Sequence, residues 1–450
     1  MFKKLLDFYK TSTPALGVAS SLLTPKRFKS LRWKTFIAFT VGYTLYYVCR
    51  LSLNVMKGPI VSEGLFTESQ LGYIGFAFYI TYAVGKFSNG FLADRCNIRK
   101  FLSTGLLVTA IVNLILGFSH MFILFFILWG VSGWFQSMGA PACVVELSRW
   151  YPEKIRGTYY GFWIISHNLG EALTWVLTTF IVAAFGWRYG FGCSALLGFI
   201  GVIVIWKFVH DTPESEGFPP VNPPKAEKNL SAEEVANVNK AQVLVLKNPY
   251  IWILALSSAF MYFYRYAINS WGIFFMQNSD KHYSLKEAGL VMAVNSAFGI
   301  IGTACSGFIS DKLFRGSRNI PALIAGLLDI TALFLFLFIP GSHVWIDVLA
   351  MVLFGTGIGV LICFLGGLMA VDIAPANASG AALGVIGIGS YLFAAFQDAL
   401  LGHLIQNSKT VMGTVTTYNF TGFAWCLFGA SILSTLVALF VWNAKKKQAQ

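Results

Sequence analysis

The chain has 450 residues, of which 56% are hydrophobic and only 12% charged, with a formal net charge of +13. Soluble domains carry about a quarter of their residues as charges, so this composition excludes a soluble enzyme, a disordered chain and a disulfide scaffold. It leaves a polytopic helical membrane protein in a lipid bilayer.

A membrane-spanning helix needs about 20 mostly apolar residues. Twelve such runs follow one another, at 34–56, 71–93, 102–119, 121–146, 157–184, 189–209, 250–278, 286–309, 320–339, 343–370, 378–406 and 418–443. The breaks carry charge or turn residues, as at Asp94-Arg95, Tyr151-Pro152-Glu153 and Pro340-Gly341. The N-terminus has lysines but no short apolar core with a small-residue cleavage site, so no cleaved leader is expected. One polar connection is long, 211–248. It holds five of the 14 prolines and, at Ser231 to Glu234, an S-x-x-E capping box that predicts a short amphipathic helix through Val243. The predicted division is an N-terminal half of six helices over 1–210, a linker over 211–248 and a C-terminal half of six helices over 249–450. An ordinary long loop is the alternative reading of the middle segment.

The charges give an orientation. Segments on the side of the N-terminus carry 25 of the 33 Lys and Arg, and the opposite side carries Lys57, Arg188, Lys281, Lys286 and Lys409. Basic residues stay on the cytoplasmic side of a membrane, so both termini are expected in the cytoplasm. The positive charge is then a topology signal, and no nucleic-acid partner is needed to explain it.

The two halves repeat each other. Tyr47-Val-Cys-Arg50-Leu-Ser-Leu-Asn54 in the first span matches Tyr262-Phe-Tyr-Arg265-Tyr-Ala-Ile-Asn269 in the seventh. Gly90-Phe-Leu-Ala-Asp94-Arg95 matches Gly307-Phe-Ile-Ser-Asp311-Lys312, and the Arg-to-Asp spacing is 44 in one half and 46 in the other. This parallel repeat of six and six helices resembles the architecture of major facilitator transporters, an all-α membrane fold. Asp94 and Arg95, with Asp311 and Lys312, are candidate gating residues, because an Asp at a helix end can pair across the interface between halves in one state only. The alternative is charge that simply marks a cytoplasmic turn.

Ionisable residues inside a span are costly and usually face a cavity. Arg50 and Arg265 are the leading candidates, since arginine stays charged and presents a planar fork suited to phosphate or carboxylate. Glu171 and Asp398 are candidate internal partners under the competing reading. Tyr43, Tyr47, Arg50 and Asn54 fall on one helical stripe, and Ser258, Tyr262, Arg265 and Asn269 on its equivalent. Tyrosine and asparagine suit a hydroxyl-rich ligand, although tyrosines also crowd membrane interfaces. Lys86 is either a third cation or a side chain snorkelling towards the cytoplasm. Trp163, His167 and Glu171 share a face of the fifth helix. His167 is a candidate site residue or a satisfied structural one, and Asp329 is expected to face a structural partner. There is no His or Cys spacing for a metal and no P-loop, G-x-S-x-G or kinase signature, so no cofactor, metal or enzymatic activity is expected.

Five further segments carry a resemblance: Tyr79-Ile-Thr-Tyr-Ala-Val-Gly-Lys86-Phe, Ser166-His167-Asn168, Gly186-Trp187-Arg188, Asn248-Pro-Tyr-Ile-Trp252 and Arg265-Tyr-Ala-Ile-Asn-Ser-Trp271-Gly. Over nearly its whole length the chain resembles the organophosphate:phosphate antiporters of the major facilitator superfamily, most closely the bacterial hexose-phosphate transporters and a related membrane sensor. The resemblance implies a bacterial inner-membrane protein, a monomer, that exchanges a sugar phosphate such as glucose 6-phosphate for inorganic phosphate by alternating access. It also implies a phosphate-binding pair at Arg50 and Arg265, support from Lys86 and His167, and a cavity lined by Tyr43, Tyr47 and Tyr262. A sensor acting through a kinase partner, or a glycerol-3-phosphate:phosphate antiporter, is the alternative. The chain departs from the family at Leu51, where a basic residue often follows the first arginine, and at Glu171, where glycine is usual.

Overall fold

The computed structural model describes residues 7–15, 23–222, 232–315, 317–374, 378–413 and 415–442; the side chains of Asp311 and of residues 232–239 lie outside that description. Six long helices come first: α1 (Pro25–Ser62), α2 (Glu68–Arg95), α3 (Ile98–Phe118), α4 (Phe122–Trp150), α5 (Glu153–Phe185) and α6 (Trp187–Phe208). The connecting helix α7 (Ala232–Lys247) runs four residues beyond the predicted end, and Ser231 of its capping box lies outside the described residues. Six more follow: α8 (Pro249–Asn278), α9 (Leu285–Phe308), α10 (Asn319–Phe338), α11 (Val344–Ile373), α12 (Ser379–Asn407) and α13 (Thr421–Leu439).

Eleven of these are long and apolar enough to cross a membrane among the described residues. Besides the connecting α7, the helix left over is α2, which has 28 residues, ample length for a span, and carries Lys86, Ser88, Asn89 and Asp94 in its second half. Its polarity is that of a helix lining a cavity rather than facing lipid.

Local sequence sets the helix ends. Thr24 accepts a hydrogen bond from the Arg27 amide at the start of α1, with Pro25 in the first turn, where a missing N–H is harmless. A reciprocal capping box of Thr67 and Gln70 starts α2, and another of Ser284 and Glu287 starts α9. α1 continues through Pro59 to Ser62, six residues past its predicted end. α4 is broken at Ser137 and Met138, and one turn each of α5, α11 and the end of α9 widens to a π-helix, at Thr174–Thr178, Phe364–Leu368 and Ile309–Leu313. A hairpin that sequence patterning had assigned to no element, β1 (Lys409–Met412) and β2 (Val415–Tyr418), joins α12 to α13. Gly413 turns it with φ 64°, a conformation glycine adopts without strain.

The halves meet where α2 packs on α12, α5 on α9 and α1 on α8. All three contacts are tight at the end away from the termini. A Cβ at Gly72 or Gly75 of α2 would collide with Asp398 of α12, and one at Gly289 of α9 would collide with Trp175 of α5. Towards the termini the same helices part: Gly90 of α2, Gly380 and Gly384 of α12, Gly157 of α5 and Gly307 of α9 have nothing within 4 Å of where a Cβ would stand. The molecule is closed at the far end and splayed at the terminal end.

Candidate anion site between the halves

α1 and α8 are the most thoroughly buried helices, and each brings its repeat arginine to the middle of the interface. Arg50 is 4% exposed and Arg265 6%. Both address one ring: their guanidinium carbons stand 5.6 Å and 5.1 Å from the centre of Tyr266. Arg50 also donates from Nη2 to the Tyr266 hydroxyl at 3.1 Å. The face of Tyr82 lies 4.4 Å from its guanidinium carbon, and Tyr47, Phe78 and Tyr79 complete an aromatic collar. Such faces attract a cation without neutralising it. The Nε of Arg50 is buried and has no partner, a donor poised for an acceptor from outside the protein.

Arg265 is held differently. Its Nη2 lies 3.6 Å from Oε1 of Glu171, which comes from α5 in the opposite half. Glu171 also accepts from Asn269 Nδ2 at 3.4 Å and from Ser296 Oγ at 3.5 Å. Asn269 Oδ1 is buried and unpartnered. A small pocket lies beside Glu171, Arg265 and Asn269, with Asn168 and Asn295 in its wall.

The other predicted residues fall into place around this centre. Tyr43 stacks obliquely on Trp163 with ring centres 5.0 Å apart, and Tyr47 lies 5.6 Å from the His167 ring. His167 is buried, with Nδ1 bonded to the Ile164 carbonyl, leaving Nε2 for the cavity. Tyr262 stands 5.5 Å from both Tyr266 and Tyr391. Lys86 is exposed on the splayed side, 4.9 Å from the Tyr391 ring, and makes no ion pair among the described residues. Asn54 is buried on α1, with no side-chain hydrogen bond among the described residues. Asp329 has the structural role expected of it, accepting from the Tyr264 hydroxyl at 2.8 Å.

Two expectations need correction, the partner of Asp398 and the place of Lys57. Asp398 does not meet an arginine; it pairs at 2.8 Å with Lys57, which had been placed outside the spans and is in fact fully buried near the end of the extended α1. Ser270 donates to the same carboxylate at 2.7 Å, and the Lys57 ammonium lies 3.7 Å from the Trp271 ring centre. Asp94 and Arg95, the candidate gating residues, are exposed where the halves have parted, and the Asp94 carbonyl accepts from Arg149 within its own half; a pairing confined to the closed state is not what this conformation presents. Lys312 is likewise exposed, against Phe308, and the Asp311 side chain lies outside the described residues.

Sequence reasoning missed several contributors. Tyr79, Tyr82, Tyr266 and Tyr391 form the aromatic wall, and the first three lie inside the segments that carry the family resemblance. A second tie between halves was also missed: Glu68, at the start of α2, accepts from Lys409 at 3.1 Å and from the Tyr418 hydroxyl on the hairpin. On the terminal side Asp211 clamps the α2–α3 turn, accepting from Arg149 Nη1 at 2.6 Å and from the Ile98 amide at 2.7 Å. Among the described residues, no group of three His, Cys, Asp or Glu is placed to hold a metal ion.

Two buried arginines converging on one aromatic wall between the halves of a many-helix membrane protein form a candidate anion site suited to a carrier. The chain belongs to the major facilitator superfamily, whose family model matches residues 36–397, and within it to the organophosphate:phosphate antiporter group. It is 30% identical over 446 residues to a probable hexose phosphate transport protein of Chlamydia pneumoniae, covering 94% of each chain. It is 32% identical over 451 residues to the membrane sensor protein UhpC of Salmonella typhimurium, covering 98% of each, and 31% identical over 439 residues to a glycerol-3-phosphate transporter of Bacillus subtilis, covering 93% of this chain and 94% of that one. Among solved structures, an inward-facing, unoccupied bacterial homologue of the human lysosomal transporter Spinster matches with a TM-score of 0.72 and 18% identity, over 93% of this chain and 98% of that one. At that identity the match speaks for the fold alone.

Proposed function

We propose that the chain carries a sugar phosphate, with glucose 6-phosphate as the leading substrate, across the bacterial inner membrane in exchange for inorganic phosphate. The convergence of Arg50 and Arg265 on Tyr266, one arginine from each half, carries the reading. A phosphate group accepts from both forks and draws the halves together. Their closure around it, at the splayed end, is the first step of alternating access. The free Nε of Arg50 supplies one donor and Asn269 Oδ1 an acceptor for a sugar hydroxyl. Lys86, on the splayed side, meets the incoming anion first, and His167 Nε2 adds a contact inside. Tyr43, Tyr47 and Tyr262 give the apolar faces of the sugar ring a surface. With the basic termini in the cytoplasm, as the distribution of Lys and Arg favours, this conformation is inward-open.

The similarity to a membrane sensor favours a second reading, in which the same site binds external hexose phosphate and signals to a kinase partner with little flux. Uptake of labelled glucose 6-phosphate into proteoliposomes separates the two. Rapid uptake into vesicles loaded with inorganic phosphate, competed by unlabelled hexose phosphates better than by glycerol 3-phosphate, is expected. Binding without uptake would establish the sensor instead.

A further inference from the structure

Glu171 is a carboxylate inside the site, on the far side of the interface from the cation it faces. It reaches Arg265 at 3.6 Å from the N-terminal half, and its other hydrogen-bond partners among the described residues, Asn269 and Ser296, also belong to the C-terminal half. It is 4% exposed, so water does little to screen the pair. Arg50, by contrast, makes no ion pair among the described residues and retains an unpartnered Nε.

We propose that Glu171 is a built-in counter-anion: when no phosphate is bound, it occupies Arg265, and an arriving phosphate must displace it from there. The inference rests on the reading of Arg50 and Arg265 as a phosphate site. Two consequences follow from charge. Without Glu171, closing the empty site would bury two facing arginines with nothing between them, at a high cost in desolvation and repulsion. Such a carrier returns only when loaded, and its transport is strictly exchange. With Glu171, one arginine remains neutralised across the interface while the halves rock, so the empty carrier also returns and a net flux runs alongside exchange. The second consequence is competition. The phosphate forfeits part of its attraction to Arg265 to the carboxylate, so binding is weaker than the two arginines alone would give.

The test is titration of the purified protein with inorganic phosphate, wild type against Glu171→Gln, a variant of equal size that keeps hydrogen-bonding atoms for Asn269 and Ser296. The variant is expected to bind roughly tenfold tighter or better, as for release of a charge-assisted contact. In proteoliposomes it is expected to lower the ratio of net uptake to exchange by a similar factor. Equal or weaker phosphate binding by the variant would overturn the counter-anion while leaving the phosphate site standing. Phosphate binding by neither protein would overturn the phosphate site and the counter-anion with it. Binding by the variant alone would be the strongest form of the proposed competition.

Discussion

Arg50 sits among ring faces that hold its position without satisfying its charge. That distinction decides what substitutions at the site do. Lysine keeps the charge and loses the planar fork, so Arg50→Lys is expected to weaken glucose 6-phosphate transport by about tenfold to a hundredfold, the worth of one or more charge-assisted hydrogen bonds. Tyr266→Phe keeps the ring and removes the hydroxyl that accepts from Arg50. A loss of roughly fivefold in affinity is expected, with the maximal rate nearly unchanged, and a concentration series of labelled uptake reads both. Much of this site was legible residue by residue. The repeated Tyr-x-x-Arg-x-x-x-Asn spacing selected Arg50, Arg265, Tyr47, Tyr262, Asn54 and Asn269, since both copies had to face one axis. Glu171 stood out as an acid in a span, but which arginine it faces depends on how α5 crosses α8, and no spacing along one helix encodes that. Lys57 was misplaced because the first apolar run was ended at Met56, one residue before it and three before Pro59. The helix runs through Lys57 to Ser62, with Pro59 in its last turn, where a proline interrupts few helical hydrogen bonds.

The elements divide the interface into a locked end and an open one. At the locked end α1, α8 and α12 share the buried Lys57–Asp398–Ser270 cluster, and α2 is tied to the hairpin through Glu68. Removing one partner of a buried ion pair strands the other charge at a cost of about 3–5 kcal/mol. Asp398→Asn therefore destabilises the closed far end more than any state in which water reaches Lys57. Spin labels at Ser62 and Val411, on opposite halves beyond the cluster, are expected to show a longer-distance population that grows in this variant. An unchanged distance distribution would assign the cluster a purely packing role. Helix existence was readable from apolar runs at all twelve spans, whereas the π-turns in α5, α9 and α11 and the break in α4 were not. The α5 π-turn lies where Gly289 of α9 presses on Trp175, a contact between distant segments that no local pattern marks. The hairpin escaped notice because its four-residue strands are too short and too exposed for alternation to mark them.

Across the whole molecule, the charge asymmetry and the splayed interface make one joint statement: the open end faces the side that holds the basic termini. A green fluorescent protein fused after Gln450 is expected to fluoresce, and alkaline phosphatase inserted in the β1–β2 turn to be active, placing that turn in the periplasm. The reverse pattern would make the same conformation outward-open and the direction of the first step opposite. The central feature of the proposed carrier is that neither half binds the anion alone. The most direct test is binding of glucose 6-phosphate to the purified protein, in wild type and in Arg50→Lys and Arg265→Lys separately. Saturable binding that inorganic phosphate competes away, and that falls by about tenfold or more in each single variant, is the expected result. Full affinity retained in either variant would mean that one half suffices, and would contradict the two-arginine site.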